Sequence, residues 1–487
     1  MDLKGLGGGL YTPLSSTDIE TIHAAALHIL ETVGMGFDTG LEDLLDTLAD
    51  AGVRVDAKQS RLLFPPALVM EYTAAAPARV VLYSRDGKND LDLTRHQVYL
   101  GTGGAAISIL DLDSGDVRPT QLADLYHLGR LVDRLDNIHF FLRPCIPTDI
   151  PETEYDNNVF FACFKATAKH VMAGVNDAAG LEKAVQMAAR LAGGTDELVK
   201  RPFFSIVTSF AISPLKLCTQ STQIMQAAVR SGIPVALSAA PMSGSTAPMT
   251  MAGTLTQLHA EQLVGILICQ LTRYGAPVLY GGIPGMANLN TMGYVGGSVE
   301  CGMMNAAAHQ LAHHVGVPNY NSAGLSDAKI PDTQAGWEKA LTTVLAVMGG
   351  GNYVHHAAGM LASMLTVAYE QYVIDDEIIG QCLKVLKGIT VDAEHIAADV
   401  IAAVGPGGNY ITTDHTLKHM RGEYFRGRGL TDQSIRNQWE LMGAKDTRER
   451  AREMARAILS SATETYIPPD TEAAMRREFN ISDCLPG

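Results

Sequence analysis

Polar side chains capable of several kinds of chemistry crowd one short stretch of the sequence, residues 317–337, which reads VPNYNSAGLSDAKIPDTQAGW. The stretch opens with an apolar run typical of a short buried strand, and a helix is predicted to begin near Ala335. In α/β folds functional residues collect at the carboxyl ends of strands, so the intervening loop is a candidate site. The alternative is an ordinary polar loop whose Asp332 caps the helix. The candidate side chains are Ser326, Asp327, Lys329, Asp332 and Gln334.

A second group of candidates consists of aromatic and carbonyl-bearing residues at the ends of other apolar runs. Aromatic faces attract cations, and a quaternary ammonium group donates no hydrogen bond, so such residues are typical of sites for quaternary ammonium compounds. The alternative is that they are packing side chains of the core. The candidates are Tyr99, Phe210, Tyr280, Tyr320, Asn321, Tyr353, His355 and His356.

Metal, nucleophilic and phosphate-binding chemistry have little support in the sequence. Among the 15 histidines are adjacent pairs at 313–314 and 355–356, and adjacent histidines do not chelate as an i, i+4 pair does. No HExxH, GxSxG or P-loop motif is present, although GTGG and GPGG runs begin at Gly101 and Gly405. The seven cysteines are scattered without a CxxC pair, which indicates buried thiols. We therefore predict no metal and no nucleophile.

The elements that position the candidates follow a repeated pattern of a short apolar run, a loop of small residues and a helical stretch. Eight such units start about 30 to 45 residues apart, the interval expected of βα units. They predict an α/β fold of the (β/α)8 TIM barrel type. The alternative is an open doubly wound sheet, although GTGGAA after the first run lacks the third glycine of a dinucleotide-binding turn. The runs begin at Val98, Ile138, His170, Phe203, Pro234, Pro277, Val317 and Tyr353.

The rest of the chain predicts an N-terminal α+β cap over residues 1–95, the barrel over 96–375 and a C-terminal helical region over 376–487. The basic run HMRGEYFRGRG, residues 419–429, either docks a partner or caps helices. In the eighth strand, alternation separates Tyr353 and His355 from His356, so one histidine should point into the barrel mouth. Helices are predicted at 17–33, 41–51, 66–75, 361–370, 376–387, 393–404 and 446–465.

Composition narrows the class of protein. With 487 residues, of which 47% are hydrophobic and 18% charged, the chain predicts a densely packed globular fold. A net charge of −15 argues against nucleic acid, because phosphate binding needs a basic face. The first residues lack the basic and apolar regions expected of a signal peptide, and no apolar run reaches membrane-spanning length. We expect a cytoplasmic homo-oligomer with no membrane partner.

Three motifs resemble those of the trimethylamine methyltransferase (MttB) superfamily, and the resemblance extends along nearly the whole chain. They are SDAKIPDTQAG at 326–336, YEQYVIDDEIIG at 369–380 and GPGGNYITTDHTLKHMRGEYF at 405–425. The resemblance implies a (β/α)8 barrel, in agreement with the unit count. It also implies transfer of a methyl group from a methylated amine to the cobalt of cobalamin, a corrinoid carried by a partner protein.

One position separates the branches of this superfamily. The position that is pyrrolysine in the methanogen trimethylamine enzymes aligns with Ile330. The chain therefore resembles the branch without pyrrolysine, which acts on glycine betaine and related quaternary amines. A quaternary amine that gives up a methyl group departs as a neutral tertiary amine and needs no acid, so we expect catalysis by positioning and assign no catalytic residue.

Catalysis by positioning suggests a hypothesis for the roles of the candidates. Tyr99, Tyr320, Tyr353 and one of the two histidines, His355 or His356, are expected around the cation. Asn321, Gln334 or a histidine is expected at the substrate carboxylate, although VPNYNSAG contains no arginine for it. The other substrate-binding candidates are Phe210, Tyr280 and Asp327. Three alternatives remain. The first is a corrinoid methyltransferase specific for trimethylamine, proline betaine or carnitine, and the second is a betaine-binding barrel without catalysis. The third is a metal-dependent barrel hydrolase.

Overall fold

Eight parallel strands form the centre of the molecule in the computed structural model, which describes residues 2–462 and 464–485. They are β1 (Tyr99–Leu100), β2 (Phe141–Leu142), β3 (Val171–Ala173), β4 (Phe204–Thr208), β5 (Val235–Leu237), β6 (Val278–Gly281), β7 (Asn319–Ser322) and β8 (Tyr353–His355). From β2 to β8 each strand pairs with the next in chain order, and β8 pairs with β1. A parallel bridge between Gly101 and Phe140 joins β1 to β2 and closes the barrel. The predicted (β/α)8 fold and its eight units are confirmed.

Helices lie before, around and after the barrel. The N-terminal region contains α1 (Ser16–Thr32), α2 (Glu42–Asp50) and α3 (Pro66–Ala74). The barrel is surrounded by α4 (Leu122–Asp133), α5 (Tyr155–Ala166), α6 (Ala178–Ala192), α7 (Thr195–Lys200), α8 (Thr219–Arg230), α9 (Met251–Thr272), α10 (Val299–His314), α11 (Thr333–Gly349) and α12 (Tyr369–Lys387). The C-terminal region contains α13 (Ala393–Ile396), α14 (Ala398–Val404), α15 (Asp414–His419), α16 (Arg436–Leu441), α17 (Thr447–Ser460) and α18 (Pro469–Glu478).

Local signals in the sequence explain where several barrel helices begin and end. The side chains of Asp177, Ser298 and Asp332 each accept a hydrogen bond from a backbone N–H in the first turn of the helix that follows. Helices α6 and α11 end at Gly193 and Gly350, which adopt the left-handed conformation that glycine accommodates without steric cost. The capping role predicted for Asp332 is therefore confirmed.

The barrel interior is filled by alternate residues of the strands. Because successive side chains of a strand point to opposite faces, one set packs inside the barrel and the other packs against the helices. The inward set forms one cluster with a hairpin made of Arg79–Leu82 and Leu91–Thr94. Backbone hydrogen bonds connect the residues after Leu82 to Ala168 and Pro202, just before β3 and β4. The hairpin therefore closes the amino-terminal end of the barrel and leaves the carboxyl end as the place for a site.

The N-terminal region contains the three helices predicted there. Its strands, Met35–Gly36, Arg54–Asp56 and Arg61–Leu63, form a sheet with Ala211–Ile212 and Lys216–Leu217, which follow β4. Helices α1 and α3 pack on α9, the long helix after β5. Backbone pairing and helix packing thus join this region to the barrel. The division at residues 95 and 375 stays a prediction, and α12 runs across the second boundary.

Two small sheets lie beyond the carboxyl ends of the barrel strands, and one of them replaces a predicted helix. The first contains Met242–Ser243, Gly285–Ala287 and Tyr294–Val295; the second contains Met360–Leu361, Thr366–Ala368, Ser108–Leu110 and Val117–Pro119. The helix predicted at 361–370 is wrong. Positive φ angles at Ala362, Ser363 and Met364 turn the chain into a hairpin, and its second strand pairs with Ser108–Leu110.

Other C-terminal predictions hold with changed boundaries. The stretch 393–404 is two helices, because Ala397 adopts a left-handed conformation with φ of 52°.

Of the seven cysteines, five are buried, Cys218 is half-buried and Cys484 is exposed. Within the described residues, none of the helices has the length and apolarity needed to cross a membrane.

Candidate active site

Aromatic side chains from β7, β8 and the residue before β2 stack inside the barrel. The ring centroids of Phe140 and Tyr353 lie 3.6 Å apart with 14° between the planes. The ring centroids of Tyr353 and Tyr320 lie 5.8 Å apart. The Tyr320 ring stacks on that of His355, with 3.9 Å between the centroids and 12° between the planes. The His356 ring lies 4.0 Å from that of His355. These five residues are named the aromatic column.

Strand register explains why the column forms. Tyr320 lies opposite Tyr353, and Ser322 lies opposite His355, in the parallel pairing of β7 with β8. Cross-strand neighbours on one face lie about 5 Å apart, within reach of aromatic rings. The residues between them point the other way, and Val354 packs in the core under the helices. Alternation therefore selects Tyr320, Tyr353 and His355 for the barrel interior.

Glycines of the GTGG run allow the column to pack closely against β1. A β-carbon on Gly101 would lie 2.3 Å from the Phe140 ring, and one on Gly103 would lie 3.3 Å from Nδ1 of His355. Only a residue without a side chain permits the first of these contacts. The run therefore serves close packing beside the aromatic column, which agrees with the sequence argument against phosphate binding.

The column is buried and carries polar atoms without partners. Tyr353 and His355 are fully buried, and Tyr320 is 3% exposed. The Tyr353 hydroxyl and both ring nitrogens of His355 make no hydrogen bond within the described part of the chain. A buried polar group without a partner costs free energy, about 1 to 3 kcal/mol, so these atoms are suited to a ligand or water that supplies partners.

Burial keeps every member of the column uncharged. Desolvation lowers the pKa of His355 well below its usual range, and the neighbouring His356 lowers it further. Burial and Lys339 lower the pKa of His356 to about 3. Burial raises the pKa values of Tyr320 and Tyr353. At neutral pH the column therefore presents neutral phenols and imidazoles, an environment that does not repel a cation.

His356 departs from the predicted alternation. Its φ of 63° is left-handed, and this turn at the end of β8 brings its ring beside that of His355. Its Nδ1 lies 2.9 Å from the hydroxyl oxygen of Ser322, which faces the interior from β7. The sequence predicted one histidine in the barrel mouth. The structure brings both to the carboxyl end of β8.

A fully buried ion pair joins the loops that follow β7 and β8. Nζ of Lys339 in α11 lies 3.0 Å from Oδ2 of Asp375 in α12, and it donates to the carbonyl oxygen of Gly324 at 2.6 Å. Asp375 also accepts hydrogen bonds from Gly359 N at 2.7 Å and from Gln371. Burial lowers the pKa of Lys339 and raises that of Asp375. The pair fixes the two loops that flank the histidines.

The polar loop after β7 is braced by its own hydrogen bonds. Asp327 accepts from the backbone N–H groups of Gly296 and Gly297 at 3.2 and 3.3 Å and from the Ser363 hydroxyl. Gln334 donates to Glu338 at 2.8 Å. Neither side chain joins the aromatic column. The Ile330 side chain, at the suspected pyrrolysine position, is 43% exposed.

The structure separates the remaining candidates. Tyr99 packs in the inner cluster with Tyr353, but its hydroxyl accepts from Asp92 N in the hairpin at the amino-terminal end. Tyr280 points outward, and its hydroxyl oxygen lies 3.0 Å from Nδ1 of His259 in α9. Phe210 also packs on α9, and Asn321 donates to a carbonyl oxygen of α10. Phe210, Tyr280 and Asn321 are therefore outside the column.

Sequence reasoning missed three residues that shape the site. Phe140 could have been found from the alternation of IHFFLRPC, which places it on the same face as Leu142. Asp375 lies in the second resemblance motif, but nothing in the sequence assigns it a partner. Lys339, twelve residues after Asp327, carried no signal, because its pairing with Asp375 exists only when α11 and α12 pack together.

Comparison with known proteins supports the fold described above. A family model described as trimethylamine methyltransferase (MTTB) matches residues 7–481. The solved structure of the Methanosarcina barkeri monomethylamine methyltransferase (MtmB) superposes with a TM-score of 0.51, covering 91% of this chain and 93% of that one. Sequence identity in that alignment is 10%, so the similarity concerns the fold alone.

Two curated relatives are similar along nearly their whole length. A trimethylamine methyltransferase MttB of Desulfitobacterium hafniense (strain DSM 10664 / DCB-2) is 36% identical over 463 residues, covering 95% of this chain and 92% of the relative. A glycine betaine methyltransferase of Desulfitobacterium hafniense (strain Y51) is 31% identical over 468 residues, covering 96% of each. The resemblance seen in the three motifs is thereby confirmed. The chain belongs to the trimethylamine methyltransferase family and is a methyltransferase.

Proposed function

We propose that this methyltransferase moves a methyl group from a quaternary amine, with glycine betaine as the first substrate to test, to Co(I) of a corrinoid carried by a separate protein. The observation that carries the proposal is the aromatic column, whose Tyr353 hydroxyl and His355 nitrogens lack partners within the described residues. Co(I) of the corrinoid supplies the nucleophile for the methyl carbon. The barrel has to bind the amine, exclude water and orient one methyl group.

The unreactive side chain of Ile330 indicates whether the methyl donor is a quaternary or a tertiary amine. A hydrocarbon side chain neither donates a proton nor forms an adduct with an amine, and this one is 43% exposed. A quaternary amine already carries its positive charge and leaves as a neutral tertiary amine once the methyl group departs. No acid is then needed at this position. Quaternary amines are therefore favoured over trimethylamine as the methyl donor.

The column offers atoms for both ends of a betaine. Ring stacking occupies the faces where Tyr353 meets Phe140 and Tyr320 meets His355, so a ligand meets the remaining surfaces and the unpartnered atoms. The lone pairs of the Tyr353 hydroxyl suit the polarised methyl groups of the cation. A neutral His355 can donate a ring N–H to a carboxylate. Asn321 and Gln334 already bond elsewhere, so among the predicted carboxylate ligands His355 is favoured.

A trimethylamine methyltransferase is the second candidate, and sequence identity favours it. The relative with that name shares 36% of its aligned residues with this chain, against 31% for the glycine betaine methyltransferase. Trimethylamine has no carboxylate, so its binding would need the hydroxyl of Tyr353 but not the hydrogen-bonding capacity of His355. The two candidates therefore predict different responses to substitution of His355.

The test is methylation of photoreduced Co(I) cobalamin, followed by its absorbance change. Glycine betaine, proline betaine, carnitine, choline and trimethylamine are supplied separately. We expect activity with a betaine, a large loss in His355→Ala, and retention of activity in Ile330→Ala. Tyr280→Phe, altered on the outer wall, should keep the wild-type Michaelis constant.

Each contrary result points to a different interpretation. Activity with trimethylamine alone would replace the proposal with the second candidate. Activity with choline but with no carboxylate-bearing amine would refute the carboxylate role of His355. No methylation with any of the five compounds, at protein concentrations that suffice for a known family member in the same assay, would reject the quaternary-amine proposal.

A further inference from the structure

The chain after α12 contains a segment with little hydrophobic core of its own. Between residues 388 and 445 the only buried residues are Ala397 and Leu430. Large apolar side chains in the segment face outward, including Ile389 at 91% and Ile411 at 77% exposure. Segments that bury so little apolar surface usually depend on another source of order, such as a metal ion.

Three potential metal ligands converge in this segment. One ligand atom each from His395, His419 and Glu423 can be chosen so that all three lie within 4.8 Å of one another. Nε2 of His395 is 3.8 Å from Oε1 of Glu423. The residues come from α13, the end of α15 and the chain just beyond it, so they meet only in the folded structure.

A further histidine, His415, stands one helical turn away and is not a member of this three-residue cluster. His415 and His419 are i and i+4 on α15, the spacing that places two side chains on one helix face, and their ring centroids are 4.5 Å apart. Nε2 of His415 is buried and makes no hydrogen bond within the described residues. Nε2 of His419 lies 3.0 Å from Oε1 of Glu394. The His415 ring therefore packs against a member of the cluster and keeps one ring nitrogen without a partner.

The orientation of His395 is the one that metal-binding histidines adopt. Its Nδ1 lies 2.8 Å from Oδ1 of Asp392, which also accepts from the His395 backbone N–H as the cap of α13. A carboxylate that accepts from one ring nitrogen fixes the tautomer and leaves the other nitrogen free to bind a cation. Here that other nitrogen, Nε2, faces Glu423.

We propose that His395, His419 and Glu423 hold a zinc ion that stabilises this segment. Imidazole nitrogen and carboxylate oxygen are ligands that Zn²⁺ accepts, and three such protein ligands leave the fourth tetrahedral position to a water molecule. The site lies outside the barrel mouth and is independent of the methyl-transfer proposal. It departs from the sequence prediction of no metal, which considered adjacent histidines and not ligands that meet only in the folded structure.

The ion would stabilise the third resemblance motif, residues 405–425, for which methyl transfer supplied no role. Just beyond Glu423, the Phe425 ring packs on Gly380 of α12, where a β-carbon would lie 2.4 Å from it. Arg428 then pairs with Asp136 at 2.9 Å, in the loop before β2. A fixed position for Glu423 therefore helps to hold the segment against the barrel.

The test is the zinc content of the full-length protein, produced with zinc and dialysed against a weak chelator. We expect one ion per chain in the wild type and in His28→Gln, a matched change of an exposed histidine on α1. His395→Gln and His419→Gln should lose the ion. Asp392→Asn should retain the ligands but weaken zinc binding about 10- to 100-fold in chelator competition. Co²⁺ in place of zinc should give the strong visible absorption of a tetrahedral site.

Two results would overturn the proposal. One is a wild-type protein that neither contains zinc nor competes for it with the chelator. The other is wild-type zinc content in His395→Gln and His419→Gln, which would place the ion elsewhere. If either variant fails to fold by circular dichroism, Glu423→Gln replaces it, because that side chain is 54% exposed and its loss leaves no cavity. Removal of zinc should also increase protease cleavage between residues 388 and 430.

Discussion

The imidazole ring of His355 lies flat on the phenol ring of Tyr320, with 3.9 Å between their centroids and 12° between their planes. The stacking holds the histidine without using either of its ring nitrogens, which remain without partners among the described residues. An imidazole that is fixed by stacking keeps its hydrogen-bonding capacity for a ligand. This relationship makes His355 the centre of the candidate site.

Removal of the Tyr353 hydroxyl should raise stability and lower activity. Tyr353→Phe deletes a buried group without a partner, so we expect the free energy of unfolding to rise by about 1 kcal/mol. Turnover with the amine should fall because the ligand loses that contact. The matched change Tyr280→Phe removes a 3.0 Å hydrogen bond to His259 and should lower the free energy of unfolding. Urea unfolding measures the stability of each variant, and the Co(I) assay measures its turnover. If both variants were stabilised, or both destabilised, the Tyr353 hydroxyl would not be the unpartnered group described above.

Loss of one partner of the buried ion pair should be severe. Lys339→Met leaves the Asp375 charge buried without its counter-ion, and we expect a loss of about 3 to 5 kcal/mol in the free energy of unfolding. Adding Asp375→Asn should recover much of this loss. For comparison, Lys200→Met breaks a surface pair with Glu197 and should cost less than about 1 kcal/mol. A Lys339→Met protein as stable as Lys200→Met would show that Asp375 is protonated and that no ion pair exists.

A methyl group on Gly101 should disturb the column. The added carbon of Gly101→Ala would lie 2.3 Å from the Phe140 ring, so either the ring or β1 has to move. We expect a loss of about 1 to 3 kcal/mol in the free energy of unfolding, together with lower activity. Gly7→Ala is the control, because a β-carbon there meets no described atom within 4 Å. Similar melting temperatures for the two variants would exclude close packing as the reason for the glycine.

Acid should destabilise the protein through buried neutral histidines. Burial lowers the pKa values of His356 and His309 to about 3 and that of His170 to about 4. Below the ordinary pKa of about 6.5 the unfolded chain binds protons that the folded chain does not, so stability falls as pH falls. Each such histidine contributes up to about 1.4 kcal/mol per pH unit between that pKa and its folded value.

The histidine contribution can be isolated with one variant. Asparagine tolerates the left-handed backbone of His356 and can keep the hydrogen bond to Ser322. His356→Asn should therefore reduce the slope of unfolding free energy against pH by about 1 kcal/mol per unit between pH 6.5 and pH 5.5. His28→Asn, at an exposed position, should keep the wild-type slope. An unchanged slope in His356→Asn would mean that His356 titrates normally in the folded protein.

Parts of the fold were predictable because their signals are local. Eight apolar runs at βα spacing predicted the barrel, and the cap of Asp332 was visible as an acidic residue directly before a helical pattern. The hairpin at 360–368 was not visible, since Leu361 to Glu370 has helical character when read alone. Its conformation depends on pairing with Ser108–Leu110, about 250 residues away in the chain, and on three left-handed residues.

The sequence by itself determined the barrel, the family and the aromatic residues available for a site, because strand periodicity and motif spacing are properties of neighbouring residues. Only the tertiary structure decided which of those residues meet. It turned Tyr280 and Phe210 outward, brought Phe140 into the column and paired Lys339 with Asp375. It also gathered His395, His419 and Glu423 from separate elements. The physical reason is that strand register and helix packing set the direction of each side chain, and both depend on contacts between residues distant in sequence.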